Sequence, residues 1–317
     1  MRAKPLLKDI VMLSEEVSIA LDERKPVVAL ESNVITHGID YPQNVETAIR
    51  MCSAVKKSGA EPAIIYIDKG KIKVGASDED IKKLAQSGDI PKASSRDLAG
   101  LLSSGKSGAT TIASSMVVAD LVGIDFFASA GLGGAHRGVE ITMDISSDLI
   151  QLTRSRVTVV SAGAKSILDI GRTLEFLETH CVPVVGYKSD DFPAFYCRSS
   201  GFSVPQRVDS SLELSRMIEL NRELHSVGSV LVTCPTREED SIDEQEISAI
   251  IDRAVKAALD ANIHGNGLTK FLMRAIDKET DGRSTEANIS VLLNNAEVAG
   301  WLATAHAKYK RGEIPIC

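Results

Sequence analysis

A single lysine, Lys165, stands in "VTVVSAGAKSILDIGRTLEFLE" (157–178) between a β-branched run and an amphipathic stretch. Val157-Thr158-Val159-Val160 has the composition of a buried strand, while Ile167, Leu168, Ile170, Leu174 and Leu177 recur at helical spacing, which places Lys165 at or near a helix start. A helix N-terminus carries partial positive charge, so an ammonium is disfavoured there and the amine form is expected. A neutral ε-amine is competent to attack a carbonyl carbon and form a Schiff base. On spacing alone the alternative is a solvated lysine beside Ser-Ala-Gly-Ala.

Other residues offer complementary chemistry. Glu31 ends the apolar run "VVALE", where burial is expected to raise its pKa and suit it to general acid or base work. Otherwise it is a strand-end carboxylate paired with a lysine. "GLGGAHRG" (131–138) sets three glycines beside His136 and Arg137, a pattern for a backbone anion cradle or for a turn that merely needs glycine. It matches neither GxGxxG nor the GxxxxGK[ST] loop. "TMDISSDL" (142–149) brings Asp144 and Asp148 close with Ser146 and Ser147 between, a set suited to a hard cation such as Mg²⁺ or Mn²⁺ held partly through water. Here the alternative is a helix cap by Asp144 or Ser146. "KASSRDLAG" (92–100) contributes Lys92 and Arg96, either to an anionic ligand or as a solvated helix start; His37 reads as a turn residue with a local hydrogen bond. No nucleophile-elbow pattern is present.

The elements that must position these groups alternate between β-rich and helical patterns, the signature of an α/β fold with a mostly parallel or mixed sheet. Expected strands are 26–32, 62–67, 125–130, 157–162, 182–187 and 229–235, with 68–75 as a hairpin return. Helices are expected over 45–58, 111–122, 166–178, 244–261 and 288–308. The apolar stripe Ile247, Ile250, Ile251, Val255, Ala258 and Leu259 must face a core or a partner, and "PTREEDSIDEQE" (235–246) reads as an exposed connection. With no repeat, low-complexity tract or linker, residues 1–317 read as a single α/β domain. Ligands of open α/β sheets gather outside the carboxyl ends of the strands, which selects Glu31-Ser32-Asn33, residues 129–138 and Lys165.

Composition narrows the class. Hydrophobic residues make up 44% and charged residues 25%, within the globular range. A formal net charge of -7 argues against a general nucleic-acid or membrane-surface binder, leaving a small-molecule substrate. The five cysteines (Cys52, Cys181, Cys197, Cys234, Cys317) lack CxxC spacing, so reduced thiols and a cytoplasmic location are expected. Lys8, Asp9 and two glutamates interrupt the N-terminal segment, unlike a secretory signal, and no apolar run reaches membrane-spanning length.

"VVALESNVITHGIDYPQN", "GATTIASSM", "GLGGAHRG", "DISSDL", "SAGAKSILDI", "TLEFLET" and "DFPAFYCRSSGF" occur in an order that resembles the pseudouridine-5'-phosphate glycosidase family, which includes indigoidine-synthase A-like proteins. The resemblance runs from about Leu13 to about Ala305. It implies an α/β/α layered fold, a homotrimer, Mn²⁺ as cofactor, and reversible cleavage of pseudouridine 5'-phosphate with water to uracil and ribose 5-phosphate. It further implies Lys165 as covalent nucleophile, Glu31 as proton donor and Asp144 as metal ligand. Lys92, Ile112, Ser146, Ser147 and Asp148 match substrate-binding positions, and His136 is expected beside the phosphate. The chain departs from the family pattern at Asn33, Ser95-Arg96, Ser129-Ala130-Gly131, Cys234 and Lys270, which bears on the base accepted more than on the reaction class. Alternatives are C-glycoside synthesis, a Schiff-base sugar-phosphate aldolase sharing the lysine, and a non-catalytic ribose-phosphate sensor.

Overall fold

The computed structural model describes residues 5–224, 228–263 and 267–313; Cys317 lies outside them. Thirteen strands occur in them: β1 (Val11–Leu13), β2 (Val27–Glu31), β3 (Glu61–Asp68), β4 (Lys71–Val74), β5 (Lys92–Ala93), β6 (Gly108–Thr110), β7 (Phe126–Ala128), β8 (Ala135–His136), β9 (Thr158–Ser161), β10 (Leu168–Asp169), β11 (Val184–Tyr187), β12 (Gln206–Val208) and β13 (Leu231–Thr233). The main sheet runs β1-β4-β3-β2-β7-β9-β13-β11-β12, with β6 pairing β3 and β5 pairing β6. From β3 through β12 every neighbour on that path is parallel. The antiparallel steps are β3–β4 and β3–β6, the first being the expected hairpin return. A mixed sheet results, as the alternation of patterns implied.

Every residue of β2, β7, β9 and β13 is buried, so both faces of the central sheet are covered. That explains why these strands read as continuous apolar runs rather than alternating ones. The helix Arg283–Lys310 lies against β2, β7 and β9 and against the helices Gln43–Lys57 and Ser211–Leu224. It buries Ile289, Val291, Leu292, Val298 and Leu302, each worth about 1.5–3 kcal/mol of apolar transfer when fully buried. One contiguous core includes residues from Val17 to Ala303. Among the described residues no helix is long and apolar enough to cross a membrane.

Helix limits follow local chemistry. Asp243 accepts a hydrogen bond from the Glu246 amide and starts the helix Glu244–Asp260, while Gly123, at φ +84°, ends the helix Ile112–Val122 in the left-handed region. Of the expected stripe on Glu244–Asp260, Ile247, Ile250, Ile251 and Ala258 are buried and Leu259 is exposed. One boundary departs in a way that matters. The helix expected from residue 166 begins at Ile170, because Asp169 accepts from the Arg172 amide and residues 168–169 form β10 against β8. Lys165 therefore lies in the turn between β9 and β10, five residues before the helix. The helix dipole is not its setting.

Candidate active site

Parallel pairing of β2, β7 and β9 delivers their carboxyl ends to one edge, and there the predicted groups meet. Glu31 is the last residue of β2 and is buried; Ser129, just past β7, donates to its Oε1 at 2.7 Å. Burial pushes the Glu31 carboxyl above the ordinary glutamate value, opposed by Lys165, the Ser129 hydrogen bond and Lys92. Glu31 is thus buried with its carboxyl raised, as its place at the end of an apolar run implied. Ser129 is itself anchored, since Asn295 of the long helix donates from Nδ2 to the Ser129 carbonyl at 2.8 Å and to that of Ala130 at 3.2 Å.

Lys165 is half-buried, its amide donating to Leu132 at 3.1 Å and its carbonyl accepting from Leu168 at 3.0 Å. The turn that delivers it requires Gly163: φ is +71°, and a Cβ there would lie 2.1 Å from the Pro193 carbonyl oxygen. The Lys165 ammonium acts electrostatically on Glu31, Lys92 and His136. Lys92, on β5, is exposed, yet partial desolvation by its neighbours and the charge of Lys165 draw it below the ordinary lysine value, against Asp148 and Glu31. The segment read as a solvated helix start is thus a short strand, followed by the turn Ser95–Asp97. Burial also holds the His136 imidazole down, with Asp144 opposing and Lys165 and Lys92 reinforcing.

Asp148 is buried, and both its oxygens are taken by backbone amides: Oδ1 by Ala113 at 3.0 Å and Oδ2 by Gly133 at 2.9 Å. The Asp148 carboxylate thus already serves the fold, tying two backbone segments together. Ser146 caps the helix Ser147–Leu152, accepting from the Asp148 amide, which is the capping alternative realised. Ser147 is joined to Ser94 by a 2.7 Å hydroxyl–hydroxyl hydrogen bond. Ile112 opens the helix Ile112–Val122 and is buried.

Four amides of the glycine stretch are engaged within the protein: those of Leu132, Gly133, Ala135 and His136 donate to Gly163, Asp148, Thr173 and Asp144 respectively, at 2.9–3.0 Å. The glycines also serve close packing. A Cβ would lie 2.4 Å from Phe195 at Gly131, 2.3 Å from Ser146 Oγ at Gly133 and 2.4 Å from Thr173 at Gly134. Arg137 pairs with Asp252 at 2.6 Å. His37 hydrogen-bonds the Ile90 carbonyl at 2.8 Å, a partner 53 residues on rather than the local one expected.

Among the described residues, no three His, Cys, Asp or Glu side chains gather closely enough to hold a metal ion. What Asp144 offers a cation is one half-buried carboxylate with His136 beside it. Such a donor set fits a hard ion that keeps most of its shell as water and substrate oxygen, and does not fit an all-protein cage. Of the departures from the family pattern, Ser129 touches Glu31 directly, and Cys234 is a buried thiol pushed up to about 12 by desolvation. Asn33 opens the π-helical turn Val34–Gly38 with its Oδ1 buried and unpartnered, while Lys270 is exposed. Ser94 and Asn295 were not singled out from the sequence. Nothing in a serine two residues after Lys92, or in an asparagine within a helical pattern, signals a contact this distant in the chain.

Comparison with known proteins places this arrangement. The family model described as indigoidine synthase A like protein matches residues 16–305. Pseudouridine-5'-phosphate glycosidase 1 of Photorhabdus laumondii is 60% identical over 292 residues, covering 92% of each chain. Pseudouridine-5'-phosphate glycosidase of Dickeya dadantii is 54% identical over 303 residues, covering 96% of each. Among solved structures, the prealnumycin C-glycosynthase AlnA in complex with ribulose 5-phosphate superposes with a TM-score of 0.89 at 41% identity, over 95% of this chain and 98% of that one. An indigoidine synthase A-like protein of Thermotoga maritima gives 0.85 at 32%, over 93% and 96%. The strand-edge cluster of Glu31, Lys92, His136, Asp148 and Lys165 thus sits in a chain that belongs to the indigoidine synthase A-like family, alongside the pseudouridine-5'-phosphate glycosidases.

Proposed function

We propose that this protein cleaves the C-glycosidic bond of pseudouridine 5'-phosphate, consuming water and giving uracil and ribose 5-phosphate, through a covalent adduct on Lys165. The observation that carries the reading is the half-buried Lys165 in electrostatic contact with the buried Glu31, in a chain 60% identical to a glycosidase of that name.

The chemistry needs both groups. The bond to be broken joins two carbons, so protonating a leaving nitrogen offers no route. Lys165 Nζ forms a bond to the sugar C1' as the bond from C1' to the ring oxygen breaks and that oxygen takes a proton. Glu31, which burial keeps protonated to higher pH, delivers its proton to the uracil carbon. The nitrogen lone pair then forms a C=N bond while the electrons of the C–C bond leave with uracil. Water adds to the imine, the C–N bond breaks, and ribose 5-phosphate departs as Glu31 regains its proton. Lys92 faces the anionic end of the substrate, with Ser146, Ser147 and Asp148 forming the adjacent wall and His136 beside the phosphate. Ile112 packs on the substrate at the helix start.

Asp144 is the residue that would hold Mn²⁺, which when bound supplies positive charge next to the anionic substrate. A homotrimer in the cytoplasm completes the proposal. The second reading, C-glycoside synthesis, is consistent with one observation, the superposition with AlnA at a TM-score of 0.89. An aldolase sharing the lysine would need no pyrimidine.

The test is uracil release from pseudouridine 5'-phosphate with and without Mn²⁺, using wild type and Lys165→Ala. Release by the wild type, none by the variant, and a borohydride-trapped ribose 5-phosphate mass on Lys165 are the expected results. An active Lys165→Ala protein with no trapped adduct would reject the mechanism.

A further inference from the structure

Glu31 and Ser129 follow one another across neighbouring parallel strands: β2 pairs β7 with Leu30 opposite Ala128, and the next residue of each chain is the glutamate and the serine. The Ser129 backbone is held on both sides. Its amide donates to the Val160 carbonyl at 3.1 Å, and its own carbonyl accepts from Asn295 Nδ2 at 2.8 Å. Its hydroxyl, on a residue only 3% exposed, donates to Glu31 Oε1 at 2.7 Å.

This contact makes the two carboxyl oxygens unequal. Among the described residues Glu31 is the one hydrogen-bond partner of the Ser129 hydroxyl. An acid proton on Oε1 would point at Ser129 Oγ and strand the Ser129 proton in a buried place without an acceptor, a costly arrangement. With the acid proton on Oε2, Oε1 is a carbonyl oxygen with lone pairs only, and Ser129 donates to it. Once the proton has gone, a carboxylate can only accept, so the same bond persists. Oε2 makes no hydrogen bond among the described residues and is not one of the side-chain oxygens buried without a partner, so it reaches solvent.

We infer that Ser129 is a positioning residue for Glu31, its hydroxyl holding Oε1 as the acceptor oxygen and leaving Oε2 to carry the proton that goes to the uracil carbon. The inference rests on the functional reading above, in which Glu31 is the proton donor. In that step the Oε2–H bond breaks, its electrons stay on the carboxylate and the proton forms the new C–H bond of uracil, while Ser129 keeps its own proton. A hydrogen bond to an ionised oxygen is roughly twice as strong as one to a neutral oxygen, so Ser129 favours the state after transfer over the state before it. Burial and Asp148 push the Glu31 carboxyl the other way, and Lys165 and Lys92 act with Ser129.

The test observes the Glu31 carboxyl directly. Infrared difference spectra are taken across a pH series for wild type, Ser129→Ala and Ser129→Thr, with the Glu31 carbonyl band assigned by its absence in Glu31→Gln, and uracil release is measured on the same proteins. In Ser129→Ala the band of the protonated acid is expected at higher frequency, because its carbonyl oxygen has lost a donor, and is expected to persist about one pH unit further up. There kcat falls about ten-fold with KM within about two-fold, since the lost contact matters most as charge develops on the carboxylate. Ser129→Thr, which keeps the hydroxyl, is expected to match wild type in band and rate. A Ser129→Ala band unchanged in frequency and pH dependence overturns the inference and leaves the functional reading standing. So does a fall in activity and melting temperature shared by the alanine and threonine variants with the band unmoved, which would make Ser129 a packing residue. A wild type that releases no uracil overturns the functional reading, and the role in proton delivery with it, whatever the band does.

Discussion

Asp148 is the residue where structure and resemblance pull apart most sharply, and its removal separates two roles. Its carboxylate accepts from Ala113 at 3.0 Å and from Gly133 at 2.9 Å, joining the first turn of an 11-residue helix to the glycine stretch from a buried position. Asp148→Ala strands both amides without room for bulk water, at about 1–3 kcal/mol each, and removes a negative charge from the helix start, worth about 0.3–1 kcal/mol. Allowing for relaxation, a loss of about 2–4 kcal/mol is expected, a large fraction of a typical stability of about 5–15 kcal/mol. Asp148→Asn keeps the shape and one acceptor but turns an NH₂ toward the second amide, so a smaller loss is expected, about 1–3 kcal/mol. Urea unfolding followed by circular dichroism gives both values, with uracil release read on the same preparations. Unchanged unfolding midpoints with activity abolished would refute the reasoning, because the carboxylate would then be serving substrate alone.

Two titrations give further tests. The buried Glu31 carboxyl keeps its proton to higher pH in the folded than in the unfolded chain, so its contribution is complete below the ordinary glutamate value and is lost as pH rises through the raised folded one. Glu31→Gln is therefore expected to melt above wild type at pH 8 and level with it at pH 4; a deficit at pH 8 refutes this. Glu219 titrates the other way: the His306 hydrogen bond, opposed by burial and aided by Arg222 and Lys310, holds its carboxyl down at about 2. Its contribution is present above the ordinary value and disappears as pH falls from about 4.5 toward 2, worth at most about 3 kcal/mol and about 1–2 kcal/mol after screening at a side chain 30% exposed. Glu219→Gln should flatten the acid limb of stability against pH in that window, measured by urea midpoints.

The central sheet was legible because burial on both faces forces uninterrupted apolar runs such as "VVAL" and "VTVV", and the flanking charge breaks mark their ends. Glu31 and Lys165 were legible for the same reason, as polar residues stranded where such runs stop. The short pieces were not. β5, β8 and β10 are two residues each, and their pairing partners are set by tertiary contacts across 17 to 34 positions, which no local period encodes. The spacing at 167, 168, 170, 174 and 177 was truly apolar, yet Leu168 spends its burial on β10 and Ile170 starts the helix. One periodic signal served two elements, and the helix start was read four residues early. Glycine content alone could not choose between roles: "GLGGAHRG" has the composition of an anion loop, while the amides of Leu132, Gly133, Ala135 and His136 face protein acceptors and its missing Cβ atoms make room for Phe195, Ser146 and Thr173.

Correcting the place of Lys165 changes the physical account of its reactivity without removing the residue from the site. A helix dipole would act on the ammonium from one direction and be screened within a turn. The observed surroundings are a second ammonium at Lys92, an imidazole at His136 and a buried carboxyl at Glu31. Glu31 and Lys92 act on each other: a proton on Glu31 removes the negative charge that favours the Lys92 ammonium, and that ammonium in turn opposes the proton on Glu31. A protonated Glu31 is the form that the proposed proton delivery to carbon requires. Neutralising Lys92 is therefore expected to raise the Glu31 carboxyl further, with Glu31 and Lys165 both in place.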